Sequence, residues 1–392
     1  VSNAPLGITA PAGFQASGIT AGLKASGNPD LAVVKNLGPD FNAAAVFTSN
    51  RVAAAPVHWS RQVISDGRAD AVVLNSGGAN ACTGPEGFAN THATAEHAAK
   101  ALGVSSGDVL VCSTGLIGEQ LPMDKILPGV DAAVAALGTG NAFEGGAAAA
   151  TAIMTTDTVS KQVGFAGTGY SIGAMAKGAG MLAPGLATML VVITTDAVLE
   201  SAQLDAALRE ATRLSFDRAD SDGCMSTNDT VIIMASGASG TTPDPAEFSA
   251  GLTEICVNLA KQLIGDAEGA AHNITIRTFN AANEDDAVEV SRTVSRSNLF
   301  KTAIFGQDPN WGRVLSAVGT TQAAFEPDEL NVSINGVQVC RNGGVGDDRN
   351  LVDLTGREVL VEIDLNSGSE EASLWTNDLT HDYVHENSAY SS

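Results

Sequence analysis

Basic residues are scarce in this chain of 392 residues: 21 Lys and Arg stand against 44 Asp and Glu, for a formal net charge of −23. Such a surface repels phosphate backbones and anionic lipid headgroups, so nucleic-acid and membrane-surface roles are excluded as the main activity. Cysteine is also sparse. The five (Cys82, Cys112, Cys224, Cys256, Cys340) are scattered, form no CxxC pair and imply no disulfide framework. Histidines fall into no zinc-ligand grouping. His92 and His97 are five apart, on different faces of a helix, and His381 and His385 lie in a tail of little helical character. No metal site is expected. No apolar run approaches the roughly 20 residues of a membrane span. The segment VSNAPLGITAPAGF lacks the basic start and long apolar stretch of a secretory leader, so a cytoplasmic protein is expected.

What the chain has instead is small residues. Gly number 42, hydrophobic residues make up 44 % and charged residues only 17 %, a composition for close backbone packing. The length calls for two or three subdomains. We place them at 1–196, 197–280 and 281–392. In the first, residues 31–34, 44–47, 71–74 and 108–111 read as short apolar strands, with Ala-rich helices at 91–102 and 131–137. Asn75–Asn80 and Ser113–Gly118 are Gly-rich turns at strand ends, where backbone N–H groups face ligands.

In the second, Ser201 caps a helix with Leu204, Ala207, Leu208, Ala211 and Leu214 on one face. Asp244-Pro245, with Glu247 at the capping-box position, opens another. Residues 231–234 and 274–276 are the strands expected to pair in this layer. The last third reads as one helix (284–296) followed by antiparallel hairpins, one turning at Asn335-Gly336 and one around 366–369. The whole is a mixed α+β or layered α/β protein with neither a Rossmann fingerprint nor a P-loop.

One segment concentrates the chemistry. In KGAGMLAPGLATML (177–190), Thr188 follows a small residue, opens an apolar run and has Lys177 eleven residues upstream. A Thr there is ordinarily a β-branched residue starting a buried strand. If the preceding peptide bond is cut, however, it gains a free α-amine beside its own hydroxyl, a nucleophile with a built-in base. An α-amine has a pKa of about 7.7–8.0 against about 10.4 for Lys, and Lys177 nearby lowers it further by like-charge repulsion.

With its companions NSGGANACTG (75–84), STGLIG (113–118), AIMTTD (152–157), DAEGA (266–270), FGQDPNWGRV (305–314) and HENSAYSS (385–392), this segment resembles the ornithine acetyltransferase, or bifunctional glutamate N-acetyltransferase, family from end to end. Gly185-Leu186 stands where Asn-Met is common in that family. The resemblance implies an α-β-β-α sandwich like that of N-terminal nucleophile hydrolases, with a smaller α+β C-terminal portion. It also implies self-cleavage between Ala187 and Thr188 into α and β chains that stay together as α2β2. The implied reaction moves an acetyl group from N-acetylornithine to glutamate in arginine biosynthesis. No cofactor is implied, although some members take acetyl-CoA as donor. The implied oxyanion hole is Thr114 and Gly115, and the implied substrate contacts are Thr155, Lys177, Thr188, Glu268, Asn387 and Ser392.

Each residue has a plainer rival: Lys177 a surface cation, Glu268 a helix-end carboxylate, Asn387 and Ser392 a disordered end. Asn310 to Arg313 is explained equally well by a Trp packed on a turn and is left outside the site. Three alternative functions compete: a self-processing aminopeptidase or amidase, in which water takes the acyl group; a synthase limited to acetyl-CoA; and an uncleaved amino-acid-binding protein.

Overall fold

A computed structural model describes residues 7–183 and 189–389. Three of the predicted site residues, Ala187, Thr188 and Ser392, lie outside the described residues. The first region runs β1 (Phe14–Ile19), β2 (Leu31–Asn36), β3 (Asn42–Phe47), α1 (Ala55–Val63), β4 (Ala71–Ser76), α2 (Gly84–Leu102), β5 (Val109–Thr114), α3 (Met123–Ala136) and α4 (Ala142–Ala152). Next come β6 (Lys161–Ala166), β7 (Ser171–Lys177), β8 (Leu190–Thr195), α5 (Ser201–Arg213), β9 (Thr230–Ala235) and α6 (Pro245–Gly265). The chain then forms β10 (Asn273–Ala281), α7 (Glu284–Ser295), α8 (Asn298–Phe305) and α9 (Trp311–Val318). It ends with β11 (Asn331–Ile334), β12 (Val337–Arg341), β13 (Gly344–Val345), β14 (Glu358–Asp364), β15 (Glu370–Asn377) and α10 (His381–Ala389).

Two sheets build the main body, in the orders β1-β2-β4-β5 and β3-β9-β8-β7-β6. Alternation along the central strands explains why they stack. Leu190 and Val192 of β8, with Ile232 and Met234 of β9, join the core formed by the four-stranded sheet and helices α2 to α4. Their neighbours Val191, Ile193, Val231 and Ile233 point the other way, onto Leu204 and Leu208 of α5 and Leu252, Leu259 and Leu263 of α6. A period of two thus buries both faces of the five-stranded sheet. The result is the expected four-layer α-β-β-α arrangement. Residues 230–235 and 190–195 pair in parallel at its centre, so strands from the first two sequence regions share one sheet.

The third sheet, β13-β12-β11-β14-β10-β15, packs against α7 to α9 around its own core of Ile276, Val290, Phe300, Val332 and Val361. It corrects two expectations. β10 belongs here and not beside β9. The strands flanking 366–369 are also not a hairpin, because β10 lies between them, parallel to β14 and antiparallel to β15. The amides of Ser367 and Gly368 donate to the Asn280 carbonyl at 2.8 and 2.9 Å, so the turn straddles the end of β10. Turn residues report a local reversal, whereas pairing is settled by distant strands with two usable edges. The hairpin at Asn335-Gly336 does form, with both residues at positive φ.

Helix ends differ in detail as well. Glu200, not Ser201, caps α5, with Gln203 returning the bond. Asp244 caps α6 as expected, but Glu247 turns away from the capping box to accept from the Thr168 amide and hydroxyl. Helices α8 and α9 were not foreseen, and the tail read as having little helical character is helical from His381 to Ala389.

Candidate active site

The two Gly-rich turns foreseen at strand ends meet edge to edge. β4 and β5 are parallel neighbours, with Asn75 opposite Ser113 and Ser76 opposite Thr114, so the turns that follow emerge side by side. Gly77 and Gly78 both donate their amides to the Thr114 carbonyl, at 2.9 and 3.0 Å. Asn75 accepts from the Ser113 hydroxyl at 2.6 Å. Gly115 sits at φ +131°, and a Cβ there would lie 2.5 Å from the Gly78 nitrogen and 2.6 Å from the Gly77 carbonyl carbon. Only glycine permits that approach.

Asn228, at the entrance to β9, ties this pair of turns to the other sheet. Its amide donates to the carbonyls of Ala79 at 2.6 Å and Ser113 at 2.8 Å.

A cleft of about 480 Å³ opens over these turns, within the range of small-molecule sites. Its lining includes Thr114, Gly115, Thr155, Lys177, Glu268 and Asn387. Every predicted site residue among the described ones is therefore brought to one place from separate stretches of chain. Thr114 ends β5 and Lys177 ends β7. Thr155 lies in the loop after α4, Glu268 in the loop after α6, and Asn387 on α10.

Lys177 is not the surface cation of the plainer reading. It is 1 % exposed and donates to the Thr114 hydroxyl at 3.3 Å. Burial lowers its pKa, against the opposing pull of Asp157, Asp229 and Glu268. Burial also acts against the charge of Asp157, but Lys177 and Lys161 outweigh it and hold that carboxyl at about 2. Asp229, immediately before β9, is different: burial pushes its pKa well above the ordinary carboxylate value. Its Oδ1 accepts the Met189 amide at 3.0 Å, so it grips the backbone at the start of β8.

The tail reaches the cleft by a specific device. Gly269 has φ +62°, and a Cβ there would strike the Tyr383 nitrogen at 2.2 Å. Thr380 donates its hydroxyl to the Gly269 carbonyl at 2.5 Å and receives the Tyr383 amide at 2.9 Å. α10 is thus seated on the DAEGA loop, and Asn387 follows one turn beyond Tyr383, to whose carbonyl its side chain donates at 3.0 Å. Phe305, opening the FGQDPNWGRV block, packs edge-on against His381 with ring centres 5.5 Å apart.

Several lining residues escaped sequence reasoning. Ser226, Thr227 and Asn228 form a polar run just before an apolar strand, the one signal that could have pointed to them. The loop from Leu23 to Ser26 also lines the cleft. It is shaped by buried Asp30, whose carboxylate accepts the amides of Ala21, Gly22, Leu23 and Lys24 at 2.6–3.1 Å. Among the described residues, no cluster of His, Cys, Asp or Glu could hold a metal ion, and no helix is long and apolar enough to cross a membrane.

Comparison with known proteins agrees with these motifs. The ArgJ family model matches residues 15–392. The arginine biosynthesis bifunctional protein ArgJ of Streptomyces coelicolor is 64 % identical over 387 residues, covering 99 % of this chain and 100 % of that protein. Its namesake in Thermobifida fusca is 63 % identical, covering 98 % and 100 %. A solved structure of ornithine acetyltransferase complexed with ornithine, from Mycobacterium tuberculosis, is 57 % identical with a TM-score of 0.45, covering 47 % of this chain and 97 % of that one. With a match along nearly its whole length and relatives at 63–64 % identity, the chain belongs to the ArgJ family, the ornithine acetyltransferases or bifunctional glutamate N-acetyltransferases.

Proposed function

We propose that this chain transfers an acetyl group from N-acetylornithine to glutamate through an ester on Thr188, after cutting itself between Ala187 and Thr188. The observation that carries the reading is the convergence of Thr114, Gly115, Thr155, Lys177, Glu268 and Asn387 on one cleft. Thr188 is the nucleophile, and its new α-amine is the base that takes the hydroxyl proton. Attack on the acetyl carbonyl makes an oxyanion, held by the Gly115 N–H and the Thr114 hydroxyl; collapse expels ornithine, whose leaving nitrogen takes up the proton. The neutral glutamate amine then attacks the ester carbonyl and gives its proton to the Thr188 α-amine, which passes it to Oγ as the C–Oγ bond breaks, yielding N-acetylglutamate and restoring the Thr188 hydroxyl.

Lys177 is the partner proposed for the α-carboxylate that both substrates carry, and Glu268 for the side-chain ammonium of ornithine. Thr155, Asn387 and Ser392 complete the substrate contacts. Acetyl-CoA serves as a second donor for glutamate, no cofactor takes part, and the α and β pieces assemble as α2β2 in the cytoplasm.

The test is direct. Purified protein given N-acetylornithine and glutamate is expected to form ornithine and N-acetylglutamate in equal amounts. Free acetate released at the same rate without glutamate replaces this reading with the amidase. Running acetyl-CoA plus glutamate alongside decides the second activity.

A further inference from the structure

The proposed mechanism needs Lys177 charged, yet Lys177 is wholly buried. A second ammonium, Lys161, is 0 % exposed on the adjoining strand, where Lys161 pairs with Ala176, the neighbour of Lys177. Two buried cations so close oppose each other, and the network around them determines which state Lys177 holds. Lys161 donates to Asp157 and to Asp266, each at 2.6 Å. Asp157 receives three bonds: Lys161 on Oδ1, the Gly178 amide on Oδ1 at 2.7 Å, and the Thr155 amide on Oδ2 at 2.9 Å. One carboxylate therefore holds the residue after Lys177, the backbone of Thr155 and the competing ammonium.

The geometry points to Asp157 as a positioning residue that keeps Lys177 protonated and sets Thr155 at the cleft, with Lys161 as its counterweight. This rests on the reading of the previous section. The row Asp266, Lys161, Asp157, Lys177 alternates in sign, so each charge has an opposite neighbour. Asp157 acts on Lys177 through charge and through its bond to the Gly178 amide, so it acts on the chemistry by way of another residue. The other charged groups that bear on Lys177 are Asp229 and Glu268, which favour its ammonium, and Lys24, which opposes it. Removing Asp157 takes away the largest favourable influence; removing Lys161 takes away an unfavourable one.

The two variants should therefore move the enzyme in opposite senses, which a merely structural salt bridge would not do. The experiment is the pH profile of kcat/KM for acetyl transfer in wild type, Asp157→Asn and Lys161→Met, with thermal melts of each. Asp157→Asn is expected to bring the alkaline limb down by about one pH unit and raise the KM for N-acetylornithine about tenfold. Lys161→Met is expected to move that limb upward. Limbs that stay in place, or that move together while the melting temperatures fall, overturn the proposal. If Asp157→Asn does not fold, the direction of the Lys161→Met shift decides alone. Titrating Lys177 by NMR in lysine-labelled protein reads the same shifts without turnover. Absent acetyl transfer would then count against the previous section, and unmoved Lys177 titration against this one.

Discussion

Burial acts in opposite directions on Lys177 and Asp229, and the difference is measurable. Desolvation is the chief cause that pushes the Asp229 pKa up, although the Met189 amide and Lys177 favour its charged form. Its folded pKa lies above the unfolded one, so its contribution to stability is fully present below pH about 4 and is lost as pH rises. Above that range the folded chain holds this proton more tightly than the unfolded chain does. Asp229→Asn preserves the acceptor for Met189 and removes that cost, so its melting temperature should exceed wild type at pH 7 and match it near pH 4. An equal change at both values would show that the folded chain does not raise the carboxyl pKa. Asp157 has the opposite sign. With its pKa depressed to about 2, it stabilises the fold above about pH 4 and ceases to do so as the pH falls toward 2.

At the reacting groups, Thr114→Ala removes a proposed oxyanion donor and the Lys177 contact, and should reduce kcat by about 10²–10³ with the melt unchanged. Near-normal kcat takes Thr114 out of the site. The identities of Thr114, Gly115 and Lys177 were legible as motifs in the sequence. Asp157 was legible only as the last letter of AIMTTD, because its role depends on a lysine four residues on and the Gly178 amide, just past the end of β7, twenty-one residues on.

Among the elements, strands were the most legible where a period of two or a short apolar run bounded them, as in β2, β4 and β9. β6 and β7 were missed because Gly164, Gly173 and Ala-rich stretches give them little hydrophobic contrast. The helix at the tail was missed for the same kind of reason. α10 has no buried residue, so nothing in its pattern marks a core face. Its position comes from Gly269 and Thr380 instead. Gly269→Ala should therefore unseat α10 and raise the KM for N-acetylornithine, and truncation of Asn387 to Ser392 should do the same. Unchanged KM in both would place the tail outside the site.

For the molecule as a whole, the proposed cut falls between two strands that are already neighbours. β7 and β8 pair antiparallel from Ile172↔Thr195 to Lys177↔Leu190. The two large cores also draw residues from both sides, with Val33 and Val73 packed in the same cluster as Leu190 and Ile232. The pieces 1–187 and 188–392 should therefore co-elute under native conditions and separate only in denaturant. Separation in native buffer would mean that the shared sheet does not hold them. The charge distribution has the same whole-molecule character. A chain of net −23 has two of its few basic residues, Lys161 and Lys177, fully buried on adjoining strands, the second lining the cleft. Composition gave the acidic surface but no hint of these buried lysines, since burial is decided by the packing of distant segments.

The central claim is that residue 188 becomes a chain start and carries the acetyl group. Mass spectrometry of protein exposed to N-acetylornithine alone, separated into its fragments by denaturant, tests it. The account predicts a piece beginning Thr-Met-Leu-Val, heavier by one acetyl group on Thr188, that loses the group when glutamate is added. Active protein recovered as one continuous polypeptide, or an acetyl group found on another residue, contradicts it.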